Sequence, residues 1–417
     1  MKLPLFPEQE KDVEFAISHT YCILALAMGT GKTAISLCAA DKIGGKVLII
    51  VPSYLTLNWK LEIEKFVGWP DVVRVKKGSD KIDYENTRAI IISYDLAIKN
   101  EKLFEWADIV ICDEADALKS MKAKRTQAIH KMVYENSIKR LMLLTGTPIR
   151  NRVQEFYSLI ALCNYRPDLK HSEFLEEFPD DIGFADRYSY REEFEKDIGY
   201  KRIKIVRWSG LRNEDELKDW LRPFYTSRKS TRPESRVKFL MTSDVDDKEL
   251  KLAFDSFTEE NNSVAPDIKA KVAEEKVPFT IKYAEDIVES IGGPIIIFSD
   301  HREPVKRLAQ HFGVPAITGE MPAGVRAQIA ADFQGGKYSV LVATIGSFST
   351  GVTLTRANQM IFNDICWTSG GLEQAKARIN RIGQDKECFV HFVFGSPQYK
   401  YIWETVVEKK KVIEGVF

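Results

Sequence analysis

The chain has no paired cysteines, no excess of either charge and no long apolar run. Its six cysteines, Cys22, Cys38, Cys112, Cys163, Cys366 and Cys388, are scattered and stand mostly in apolar stretches. That spacing excludes a CxxC zinc module or a disulfide scaffold and predicts buried free thiols in a reducing compartment. Lys and Arg together number 60, and so do Asp and Glu. A nucleic-acid site must then be a local patch rather than a field of the whole protein. No stretch approaches the ~20 apolar residues of a membrane span, and no basic region followed by an apolar run opens the chain. Repeats and low-complexity segments are absent too, which excludes solenoids and fibrous arrays. The expectation is a soluble, cytoplasmic protein of 417 residues, long enough for two or three domains.

The most informative stretch is Met28-Gly29-Thr30-Gly31-Lys32-Thr33, set between the apolar residues 22–27 and the helix-like residues 34–40. A strand, a glycine turn and a helix start make a phosphate-binding loop. The glycines let backbone N–H groups converge on phosphates, and the helix N-terminus adds partial positive charge. Lys32 can reach the terminal phosphates and the Thr33 hydroxyl can hold Mg²⁺. The usual pattern has a further glycine early in the loop, where this chain has Leu26. Upstream, the Gln9 amide both donates and accepts, so it could read an adenine edge. A solvated Gln at a helix start is the alternative, and the residues leave both open.

Short continuous apolar runs at 46–51, 88–93, 108–112 and 140–144 alternate with helix-like polar stretches. That is the pattern of a parallel sheet covered on both faces. Ligands of such sheets bind at the strand ends, and here those ends carry Ser53, Ser93-Tyr94-Asp95, Asp113-Glu114-Ala115-Asp116 and Thr145-Gly146-Thr147-Pro148. Beside a phosphate loop, Asp113 is placed to hold Mg²⁺ through water, and Glu114 to orient and deprotonate an attacking water. A second set of runs at 294–298, 339–343, 359–363 and 388–394 predicts another α/β lobe.

These strings resemble a known family. Gly29-Thr30-Gly31-Lys32-Thr33, Asp113-Glu114-Ala115-Asp116 and Thr145-Gly146-Thr147-Pro148 resemble motifs I, II and III of superfamily-two helicases. Pro52-Ser53-Tyr54-Leu55-Thr56-Leu57-Asn58-Trp59-Lys60-Leu61-Glu62 resembles motif Ia of the Swi/Snf branch, and Leu144 through Asn151 resembles its motif III. Residues 340–358, with Thr344, Gly351 and Leu354, resemble motif V, and Glu373 through Gln384 resembles motif VI. Leu5-Phe6-Pro7-Glu8-Gln9 and the stretch from Trp367 into motif VI lean towards the annealing-helicase (HARP-like) branch. Departures from the family pattern are Leu26 and Ala27 in place of acids, Asp116 and Asn380 in place of His, and Thr368-Ser369 in place of Asn-Pro.

The resemblance implies two RecA-like lobes, residues 1–166 and 236–417, with a helical insertion and linker at 167–235. It implies ATP and Mg²⁺ as cofactors, with Gln9, Met28, Gly29, Thr30, Gly31, Lys32, Thr33 and Gly351 at the nucleotide and Thr33 and Asp113 at the metal. Lys32, Asp113 and Glu114 would act with Arg378 and Arg381, two arginines spaced to share a helix face and to meet the terminal phosphate across a cleft. Ser53, Ser93, Tyr94, Ser299, Thr344 and Arg228 would contact nucleic acid, and Thr145, Thr147 and Gln384 would couple the sites. The partner implied is duplex or forked DNA, tracked without sequence preference because backbone contacts carry no sequence information, by a monomer with no membrane association. Two rival functions stay in view: a DEAD-type RNA helicase, since residues 113–116 spell that box, and a nucleotide-gated binding protein that does not turn over. Phe174, Phe178, Trp220 and Phe224 read as insertion core in preference to base-stacking groups.

Overall fold

A computed structural model of the chain describes residues 4–136, 138–146, 152–164, 173–198, 201–229, 233–242, 266–348, 352–364, 369–381 and 383–395. The chain divides into two compact units at residues 230 and 231.

The first unit opens with helix α1 (Pro7–Ser18), strand β1 (Tyr21–Leu26) and helix α2 (Lys32–Ile43). β2 (Val47–Val51) leads into helix α3 (Thr56–Phe66), followed by β3 (Val72–Arg74), β4 (Ala89–Ser93), β5 (Ile109–Cys112) and β6 (Arg140–Thr145). β7 (Tyr190–Ile198) and β8 (Lys201–Ser209) form an antiparallel hairpin, and β9 (Tyr225–Arg228) closes the unit. Seven of these strands make one sheet in the order β3-β4-β2-β5-β6-β1-β9, parallel throughout. Successive strand side chains point to opposite faces. Tyr21, Ile23 and Ala25 therefore enter one core, while Cys22, Leu24 and Leu26 enter the other. This two-sided burial is why the strands read as unbroken apolar runs.

The insertion is not purely helical. Helices Glu173–Glu177, Asp181–Tyr188 and Glu214–Leu221 flank the β7–β8 hairpin, whose register sets Glu195 opposite Lys204 and Asp197 opposite Arg202. Alternating charge with β-branched and aromatic residues favours an extended pair there over a helix. Phe174, Phe178 and Phe224 are buried in the first unit's core, with Trp220 packed against them. Their rings lie 5.3 Å (Phe174–Phe178) and 5.4 Å (Phe174–Trp220) apart, so they are core.

The second unit carries β10 (Arg236–Met241), β11 (Ile295–Ser299), β12 (Ala316–Ile317), β13 (Val340–Thr344), β14 (Gln359–Phe362) and β15 (Phe389–Phe394). They form a second wholly parallel sheet, β10-β15-β14-β11-β13-β12. Here too alternate residues feed two cores, Ile296 and Phe298 on one face and Ile295 and Ile297 on the other. Cys22, Cys38, Cys112, Cys163 and Cys388 are buried free thiols; Cys366 lies outside the described residues. Among the described residues no helix is long and apolar enough to cross a membrane.

Candidate active site

The phosphate loop joins β1 to α2, as the sequence predicts. Gly29 and Gly31 have φ of 78° and 92°, a left-handed conformation that glycine adopts without a Cβ clash. A Cβ on Gly31 would come within 2.3 Å of Gln9 Nε2, so helix α1 and the loop require glycine there twice over. Gln9 is buried. Its Nε2 donates to the Thr30 carbonyl at 2.9 Å and its Oε1 accepts from the Phe6 N–H at 3.0 Å. One amide hydrogen and one lone pair are left for a ligand. Thr30 Oγ1 donates back to the Ala27 carbonyl at 2.6 Å, tightening the turn.

Lys32 lies along the loop with its Nζ donating to the Leu26 carbonyl at 2.8 Å. The Leu26 side chain is buried in the sheet core, and its backbone oxygen accepts the lysine N–H. Gly146, after β6, would place a Cβ 3.2 Å from Lys32 Nζ and 3.0 Å from Met28 Cγ. The missing side chain gives the phosphate lysine and Met28 their room. Thr145 is buried at the end of β6; Thr147 and Gly351 lie outside the described residues.

Asp113 and Glu114 follow β5, next to β2 and β6 in the sheet. Asp113 is buried and held on three sides. Trp59 Nε1 donates to Oδ2 at 2.8 Å, the Glu114 N–H donates to Oδ1 at 2.9 Å, and the Tyr94 hydroxyl donates to the Asp113 carbonyl at 2.9 Å. Burial, and then the neighbouring Glu114 charge, push the Asp113 carboxyl up to about 6. The Trp59 hydrogen bond, the Lys32 charge and the Glu114 N–H pull the other way. Glu114 itself has φ 48° and ψ 52°, a left-handed backbone costing ~1–2 kcal/mol in a non-glycine residue. Its Oε2 is buried with no hydrogen-bond partner. A strained residue aiming an unpartnered carboxylate oxygen is the arrangement of a poised base. The Thr33 hydroxyl and the Asp113 carboxylate are hard oxygen donors, of the kind that could hold a Mg²⁺ ion.

Motif VI does not form one continuous helix. The helix Ser369–Lys376 ends before Arg378 and Arg381, so the shared helix face expected for them is not formed. Leu354 N–H donates to the Arg378 carbonyl at 3.0 Å, and Arg381 Nη1 donates to Thr353 Oγ1 at 3.1 Å. The backbone runs on in turns, the Arg378 N–H donating to the Ala375 carbonyl at 3.0 Å and the Ile379 and Asn380 N–H groups to the Lys376 carbonyl at 3.3 Å, and this stretch is joined to the motif V segment. Buried Gln384 completes that join: its Nε2 donates to the carbonyls of Thr355, Ala357 and Ile379 at 3.0, 2.8 and 3.2 Å. In the second unit Gln384 is therefore a staple between motifs V and VI. Asn380 donates to the Pro233 carbonyl at 2.8 Å.

The residues expected at nucleic acid divide sharply. Ser53 is exposed at the end of β2. Ser93, Tyr94, Ser299 and Thr344 are buried, and two have partners inside the protein: Tyr94 as above, and Ser299 donating to Asp364 Oδ2 at 2.6 Å. Tyr94 and Ser299 are thus each engaged within their own unit. Arg228 is diverted as well. Its Nε and Nη2 donate to Asp12 Oδ2 at 2.9 and 2.6 Å, and Nη2 reaches the Thr30 carbonyl at 3.5 Å. Arg228 thus ties β9 to helix α1 and to the crest of the phosphate loop.

Asp12 carries the site from outside every motif, and Trp59 and Gly146 carry it from motif strings that gave them no role of their own. Asp12 was signalled by its place, an acid beside Val13 and one turn after Gln9 on the buried face of α1. Trp59 belonged to the motif Ia string, but only the sheet order shows what its indole meets.

Two parallel sheets, each with helices and with polar groups at the ends of the strands, define a two-lobe RecA-like nucleotide-binding core. The solved structure of Mss116p bound to ssRNA and AMP-PNP has this fold, with a TM-score of 0.63 over 99% of this chain and 74% of that one, at 13% identity. Residues 9–224 match the SNF2-related domain and residues 280–383 the helicase conserved C-terminal domain. The chain belongs to the SNF2-related family. Among curated proteins it is 27% identical over 98% of its length to the SWI/SNF-related matrix-associated actin-dependent regulator of chromatin subfamily A-like protein 1 of Xenopus tropicalis. It is 23% identical over 100% of its length to the DNA annealing helicase and endonuclease ZRANB3 of Bos taurus. The chain spans 44% and 40% of the lengths of these two relatives.

Proposed function

We propose that the chain is an ATP-dependent motor that tracks on duplex or forked DNA and remodels or reanneals it. The observation that carries this is Glu114: a left-handed residue with a buried, unpartnered carboxylate oxygen, directly after an Asp113 whose charge Lys32 offsets. That set is what hydrolysis of a terminal phosphate needs on one lobe. Lys32 and the loop N–H groups would bind the phosphates, and Thr33 and Asp113 would hold Mg²⁺, which supplies charge neutralisation at the transferred phosphoryl group. Glu114 would orient the water and take its proton, and Gln9 would read adenine with its remaining donor and acceptor. Arg378 and Arg381 of the second unit are assigned to the developing charge, as arginine fingers worth on the order of 10³–10⁵ in rate elsewhere. Residues 1–166, 167–235 and 236–417 are taken as lobe, insertion and lobe.

DNA as the track is supported by family membership and by the annealing helicase among the relatives. Ser53, exposed where β2 ends, is the strand-end group retained as a phosphate contact. ATP turnover of the purified chain with duplex, forked or single-stranded DNA, with RNA, or with nothing added tests the proposal. Stimulation by duplex or forked DNA is expected. Stimulation selective for RNA, or no turnover under any condition, overturns it.

A further inference from the structure

We propose that Trp59 is a positioning residue through which occupancy of the turn at residues 53–56 is read at Asp113. This rests on the DNA-motor reading and adds the route from the track to the phosphate chemistry within one unit. The turn follows β2: a 3₁₀ turn at Ser53–Leu55 runs straight into α3 at Thr56. Ser53 is exposed, and the turn is tied to the helix because Thr56 Oγ1 donates to the Ser53 carbonyl at 2.9 Å. Arg74, at the end of β3, donates its Nε to the same Thr56 hydroxyl at 3.0 Å. The guanidinium thus stands beside the start of the helix, next to the exposed Ser53 taken above as a phosphate contact.

Trp59 is one helical turn further on. Its side chain is fully buried in the core with Leu55, Ile35 and Ile63. A close-packed indole is held in its rotamer by its neighbours and moves with its helix on average. A shift of the first turn of α3 therefore moves Nε1, whose only polar function is to donate. The bond to Asp113 Oδ2 is 2.8 Å long, and a displacement of about 1 Å takes it beyond hydrogen-bonding range. Asp113 Oδ1 and its carbonyl are fixed by Glu114 and Tyr94. Oδ2 is thus the carboxylate oxygen whose partner stands on the helix that leads to the turn.

The test uses the whole chain labelled with ¹⁵N-tryptophan, which gives seven indole signals; the Trp59 signal is the one missing from Trp59→Phe. Saturating duplex DNA is expected to move that signal without nucleotide present, and to leave it in place in Ser53→Asp, where a carboxylate repels the phosphate. In Trp59→Phe, which keeps the ring and loses the N–H, the ratio of DNA-stimulated to unstimulated turnover is expected to fall at least fivefold. The DNA concentration giving half-maximal binding is expected to stay within about twofold. A Trp59 signal unmoved by DNA that does stimulate the wild type overturns the inference alone. Wild-type protein that neither binds nor responds to DNA overturns the motor reading with it.

Discussion

Replacing Glu114 separates chemistry from stability more cleanly than any other single change. Glu114→Gln keeps the shape and removes the base. General-base catalysis is worth about 10²–10⁴ in rate, so turnover should fall by that factor, ~3–5 kcal/mol of barrier. The structure predicts no matching loss of stability, because Oε2 is buried with no hydrogen-bond partner to lose. Glu114→Gly goes further. It relieves a left-handed strain of ~1–2 kcal/mol and gives back roughly 0.5–1 kcal/mol in glycine entropy. The net gain of about 0.5–1 kcal/mol raises the unfolding temperature of a unit this size by ~1–4 °C. The assays are phosphate release, fluorescent-nucleotide binding and a thermal scan on the same preparations. Both variants should bind nucleotide and fail to turn it over. Glu114→Gln turning over within about tenfold of wild type, or Glu114→Gly melting several degrees lower, would refute the poised-base reasoning.

Three further outcomes follow from named contacts. Arg228→Ala leaves the buried Asp12 carboxylate without its guanidinium, whereas Asp12→Asn with Arg228→Gln removes both charges. Breaking one side of a buried pair is the costlier change, so hydrogen exchange of α1 amides should quicken more in the single variant than in the double; the reverse order would count against the clamp. Gly146→Ala presses on Lys32 and Met28, not on backbone, so KM for ATP should rise several-fold with little change in melting temperature; an unchanged KM would show the close approach to be immaterial. His130 and His391 are buried, and desolvation pushes each down to about 4 from 6.5. The neutral rings stabilise the fold fully above pH 6.5, and that stability is lost as pH falls towards 4. At pH 5 each contributes a loss of ~2 kcal/mol. Urea unfolding should show a pH 7 to pH 5 drop that His130→Gln reduces; an equal drop in that variant would exclude His130 as a source.

Where burial is two-sided, the sequence was legible almost to the residue. The runs at 46–51, 88–93, 108–112 and 140–144 are β2, β4, β5 and β6, because a strand covered on both faces has no polar alternation to blur its ends. Strands β3, β9 and β10 were not legible. They lie at sheet edges and are partly exposed, so they carry no unbroken apolar run. The loop from Met28 to Thr33 was legible from its local chemistry. Trp59 with Asp113 was not, since it depends on β5 lying beside β2. Asp12 with Arg228, 216 residues apart, was not, since it depends on β9 lying beside β1. Position at a strand end does not say which way a hydroxyl faces: Ser53 is exposed, whereas Ser299 turns inward to Asp364.

In the proposed motor, phosphate chemistry at Lys32, Asp113 and Glu114 drives movement on DNA. Displacement of a triplex-forming oligonucleotide from a duplex measures such movement directly, because only a protein stepping along the duplex clears it. The wild-type chain is expected to release the third strand when ATP and Mg²⁺ are present, and Glu114→Gln to bind the duplex and release none. Release without ATP, equal release by Glu114→Gln, or DNA-stimulated hydrolysis with the third strand left in place would contradict the account.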